Sequence, residues 1–77
     1  MDKHYRNLLI SAAAVPLPKG KGWRARGVIL SPHDKPIIEL KRIETRNIIF
    51  GKKEDAEVCA FHLCKDWINE KFGFRVN

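Results

Sequence analysis

Cysteine is scarce, at two in 77 residues. Cys59 and Cys64 stand five positions apart in a stretch of helical periodicity, roughly 140° of rotation at about 100° per residue. That separation is too wide for a mutual disulfide. His62 lies near Cys59 but away from Cys64, so the three do not converge on a tetrahedral metal. The two thiols read as small core residues in a reducing, cytoplasmic setting. Long apolar runs are missing too, since Leu8 to Val15 falls well short of the ~20 residues of a spanning helix. Lys3 and Arg6 before that run, and Ala12-Ala13-Ala14 within it, imitate a secretion signal. Against that reading, the run is of minimal length, Asp2 weakens the basic start, and cleavage would delete the first strand. No membrane partner is expected.

Catalytic groups are equally sparse. Ser11, Ser31, Thr45 and the two cysteines are the nucleophile candidates, and none has a histidine base in evident reach. His4 sits at the N-terminus, and His33-Asp34 occupies a proline-bounded turn and reads as solvated turn chemistry. Glu54, Asp55 and Glu57 suit the positive end of a helix dipole rather than paired acid-base work. Lys19-Gly20-Lys21-Gly22 lacks the spacing and the Lys-Ser/Thr ending of a phosphate-binding P-loop. A chain this short also leaves little protein for an enclosed site once its scaffold is built. The expectation is a non-enzyme with no cofactor and no metal.

What the chain does have is positive charge, unevenly placed. Its 15 Lys and Arg against 9 Asp and Glu give +6. Residues 1 to 53 hold 12 basic and 4 acidic side chains, and residues 54 to 77 hold 3 and 5, so the excess lies in the first two thirds. A polyanion would meet that part first.

Two turn clusters, Pro16 to Gly22 and Ser31 to Pro36, divide these two thirds into segments of strand length. The first runs from about Tyr5 to Val15. In the second, Trp23, Ala25, Gly27 and Ile29 share one face, and Arg24, Arg26, Val28 and Leu30 the other. The third, Ile37 to Ile43, sets Ile38 and Leu40 opposite Glu39 and Lys41. Asn47 to Phe50 is either a fourth short strand or a bent continuation. From Lys53 to Phe72 the period becomes helical: Ala56, Cys59, Ala60, Leu63, Cys64, Trp67 and Ile68 form one stripe, with Val58, His62, Lys65, Asp66 and Asn69 opposite. Gly73 is a natural stop, and no good N-cap precedes the helix.

The fold expected is α+β in a single domain spanning 1–77. It is an antiparallel β-meander of three or four strands over about 5–50, followed by one C-terminal helix over about 53–72 packed on one face. Ala25 and Gly27 would admit the helix closely, answered by Ala56 and Ala60. The candidate nucleic-acid-binding residues are Lys19, Lys21, Arg24, Arg26, Lys41, Arg42 and Arg46, with Lys52 and Lys53 nearby. Alternation puts Arg24, Arg26 and Lys41 on the face the helix leaves open, where side chains can reach bases while loop lysines hold phosphates. A merely solvated basic face satisfies the same pattern. Val28 and Leu30 beside the arginines equally suit a protein partner or a homodimer.

Gly22-Trp23-Arg24-Ala25-Arg26, a turn, a third strand, then Phe50-Gly51-Lys52-Lys53-Glu54-Asp55-Ala56-Glu57 leading into a helix resemble the layout of three-stranded DNA-binding domains of the AP2 and integrase N-terminal type. The resemblance implies major-groove reading by outward sheet residues, here Arg24, Arg26 and Lys41. The apolar first strand, Leu8 to Ala14, departs from it, because those families place arginines there. The chain also resembles small bacterial and prophage-encoded proteins of the same strands-then-helix layout, which implies an accessory or structural role.

Overall fold

A computed structural model describes residues 1–32 and 35–73. Strands β1 (Asp2–Tyr5), β2 (Leu8–Pro16), β3 (Trp23–Ser31) and β4 (Ile38–Glu44) form one antiparallel sheet in sequence order, and helix α1 (Lys53–Lys71) follows. The α+β meander with a C-terminal covering helix is thus as expected. The turn holding His33 and Asp34 lies outside the described residues.

The first segment departs from expectation. It is a hairpin, with Asp2 paired to Ser11 and Tyr5 to Leu8. Arg6 and Asn7 make its two-residue turn at φ 52° and 66°, the left-handed geometry that matches the twist of flanking strands. The fourth strand is therefore N-terminal. Asn47 to Phe50 contributes only a single bridge, Phe50 to Trp23, closed by two backbone hydrogen bonds of 2.9 Å. Gly22, at φ 118°, allows this bridge to form, because a Cβ there would stand 2.7 Å from both Ile49 Cγ2 and the Phe50 carbonyl oxygen.

The helix buries Ala56, Ala60, Cys64 and Ile68, one residue per turn along an i, i+4 ridge. Toward its N-terminal half, Ala56 and Ala60 pack on Ala12 and Ala25. Toward its C-terminal half, Cys64 and Ile68 pack on Ile10 and Ile29, flanked by Tyr5, Leu8, Phe61 and Trp67. Small residues at one end and branched ones at the other set how closely the helix approaches along its length. Gly27 lies under the middle, where a Cβ would overlap Cys64 Sγ and come within 3.0 Å of the Ala60 carbonyl oxygen.

Cys59 is only half-buried, unlike Cys64. Asn69 does not lie on the solvent side as its periodicity suggested: its Oδ1 accepts a 2.7 Å hydrogen bond from the Tyr5 hydroxyl and another from Arg6. The tether fixes the helix end to the β1–β2 hairpin. At Gly73, φ is 78°, just after the Phe72 N–H closes the last turn onto the Ile68 carbonyl, so the expected glycine stop is present.

Candidate nucleic-acid interface

Because the helix takes the Trp23, Ala25, Gly27 and Ile29 side of β3, Arg24, Arg26, Val28 and Leu30 face the other way. Their neighbours across β2 are Val15, Ala13, Ser11 and Leu9. Across β4, Glu44 stands opposite Arg26 and Arg42 opposite Val28. Residues directly opposite in an antiparallel pair point to the same face. The open face therefore carries Arg24, Arg26 and Arg42 among half-buried apolar side chains.

Lys41 is a correction. It pairs with Ile29, which places it on the helix side of the sheet, exposed on a strand the helix barely covers. The cause is a bulge: Leu30 pairs with Glu39 and Ile29 with Lys41, so Leu40 is an extra residue and the alternation of β4 shifts by one. Arg42 takes the place that strict alternation gave to Lys41.

Two of the open-face arginines already have carboxylate neighbours. Arg26 Nε lies 3.2 Å from Glu44 Oε2, an ion pair rather than an aligned hydrogen bond, since that Nε has no acceptor in good geometry. Arg42 donates a 2.9 Å hydrogen bond to Glu39 Oε1. This contact holds the Glu39 carboxyl below its ordinary range and raises the Arg42 guanidinium above its own. The shift-by-one at Leu40 is what lets residues three apart on a strand meet on one face. Both pairs are substantially exposed and contribute little to stability.

The remaining cations gather at one end of the molecule. Lys19 and Lys21 lie exposed in the β2–β3 loop, which is closed by a 2.8 Å hydrogen bond from Leu17 N–H to the Gly22 carbonyl. Arg24 follows at the start of β3, with its Nε shielded from solvent and without an acceptor among the described residues. Thr45 brings the chain after β4 to the same place. Its hydroxyl accepts a 3.0 Å hydrogen bond from Ala25 N–H, and its own N–H donates to the Ala25 carbonyl at 3.0 Å. Arg46 comes next and lines a shallow open cleft of about 340 Å³ with Arg42 and Glu44. The Phe50–Trp23 bridge then carries the chain past this end and into Lys52 and Lys53 at the helix start.

The structure thus puts Arg24, Arg26 and Arg42 on the open face and Lys19, Lys21 and Arg46 at the end of the sheet where β3 begins and β4 finishes, and leaves Lys41 out. Three contributors are not apparent in the sequence pattern. Glu39 and Glu44 share the face with the arginines, which reduces its net charge, and Thr45 acts as a backbone clamp rather than a nucleophile. Among the described residues no group of acidic, histidine or cysteine side chains is arranged to hold a metal, and no helix is long and apolar enough to cross a membrane. No family model matches the chain, and no curated protein or solved structure is significantly similar to it.

Proposed function

We propose that the protein is a small non-enzymatic binding module that holds the phosphate backbone of DNA or RNA against the basic end of its sheet. The observation that supports this reading is the convergence of Lys19, Lys21, Arg24 and Arg46 from three separate chain segments. None of the four is in an ion pair among the described residues. Side chains drawn together from distant positions make a continuous cationic surface, whereas Arg26 and Arg42 enter it already paired and serve to orient it. The arrangement suits backbone contact more than base readout, because Arg26 and Arg42, the open-face arginines of the sheet interior, are already paired with Glu44 and Glu39.

A second reading has its own observation. Val28 and Leu30 sit beside the arginines, half-buried with no element above them, and suit a protein-interaction or prophage-type accessory role in which the open faces of two molecules pack together. Salt separates the two readings. Binding of a labelled duplex to the full chain, followed by fluorescence anisotropy, should weaken with a slope of roughly −4 in log K against log salt, set by four released counterions. Arg24→Ala should reduce that slope by about 1. Absence of binding at low salt, together with salt-insensitive self-association abolished by Val28→Lys, would favour the protein-interaction reading instead.

A further inference from the structure

The helix lies over β2 and β3 and barely reaches β4, which ends the sheet as an edge strand with one free side. Exposed apolar residues collect there: Ile37 is 59% exposed, Ile38 47% and Leu40 38%. An unprotected edge offers a row of unpaired backbone groups to another strand. Bulges and basic residues commonly block such pairing, but here the bulge has the opposite effect. By shifting the alternation at Leu40, it puts Glu39 and Arg42 together on the open face and Ile38 and Ile43 together on the helix face. A strand with that arrangement is complementary to its own reverse.

We infer that β4 pairs antiparallel with β4 of a second copy about a two-fold axis perpendicular to the sheet, with Glu39 opposite the partner's Arg42 and Ile38 opposite the partner's Ile43. The two-fold repeats both contacts, giving two opposite-charge pairs on one face and two apolar pairs on the other, the combinations that stabilise neighbouring strands. The other registers near the centre of the strand are worse: they set Lys41 against itself, Lys41 against the partner's Arg42 or Arg42 against itself, and the register centred on Leu40 sets Glu39 of the open face against the partner's Lys41 of the helix face. The Glu39–Arg42 contact within each chain exchanges for a contact between chains, two for two across the dimer. The two sheets then run on as one eight-stranded surface with both helices on the same side.

One short strand pair buries less than the ~1,200 Å² of a standard stable interface. Association is therefore expected near ~100 µM, where sedimentation equilibrium of the full chain should show its mass rising from 8.9 kDa toward twice that value. Glu39→Arg and Arg42→Glu should each be monomeric at the same concentration, through like charges across the two-fold. Mixing the two variants should restore a dimer made of one of each. That rescue cannot come from repairing the contact within either chain, and amide spectra of each variant alone establish that both are folded. Val28→Lys should leave association unchanged. A wild-type chain that stays monomeric into the millimolar range would overturn the inference, as would variants that fail to rescue each other or a dimer dissolved by Val28→Lys.

Discussion

At Gly27 the absence of a side chain sets how near the helix can sit. Gly27→Ala would drive a methyl group into Cys64 Sγ and toward the Ala60 backbone, neither of which can swing aside in a packed core. A loss of about 1–3 kcal/mol in denaturant unfolding is expected. Cys64 itself supplies a pH prediction. Burial pushes its thiol up to about 11 from an ordinary value of 9.0, so the folded state favours the protonated form. The resulting stability is complete below pH 9 and is lost progressively as the pH rises through about 11. The gap in unfolding midpoint between the wild type and Cys64→Ala should therefore narrow over that interval. Alkylation should meanwhile find Cys59, half-buried at the helix flank, well before Cys64. Equal reaction rates in the folded chain would mean that the buried ridge is not as described.

Among the elements, the helix begins with the weakest local signal. Its N-cap, Lys52, has extended geometry, φ −124° and ψ 140°, and offers no capping side chain. Lys52→Ser should stabilise the chain by about 0.5–2 kcal/mol in chemical denaturation. In the β1–β2 turn Asn7 is left-handed at φ 66°, and Asn7→Gly should be neutral or slightly stabilising, because glycine is the favoured second residue of such turns. The same elements show what could be read from residues in order. The strand β3 and the helix ridge were legible because alternation and helical spacing persist over several residues, and the fit of Ala25 and Gly27 against Ala56 and Ala60 follows from that spacing. The β1–β2 hairpin was not legible, since Arg6-Asn7 carries neither glycine nor proline and the turn interrupts an otherwise strand-like run. The bulge at Leu40 was hidden for another reason. It is defined by pairing with β3, and a shift of one residue reverses the face of every side chain on one side of it. For that reason strict alternation puts Lys41 on the open face, where the pairing puts Arg42.

Taken whole, the molecule is a thin slab, 42 × 32 × 17 Å, with its apolar ridge closed on one side and Lys19, Lys21, Arg24 and Arg46 at one end. Distances along the chain concealed that gathering. Lys19 and Lys21 come from a loop, Arg24 from the first residues of β3, and Arg46 from the stretch after β4 that Thr45 clamps to Ala25. The four share that end because the meander folds back on itself and the Phe50–Trp23 bridge closes the loop beyond. A polyanion approaching this slab would be drawn to the lysines and arginines of that end. The most direct measurement is an amide titration of the isotope-labelled full chain with a short mixed-sequence duplex at low and then moderate salt. Shifts are expected over residues 19–26 and 42–46 that shrink as salt rises, while the Arg6–Asn7 turn and the last turn of the helix stay still. No movement at residues 19–26 and 42–46, or equal movement at every exposed lysine, Lys65 and Lys71 included, would contradict it.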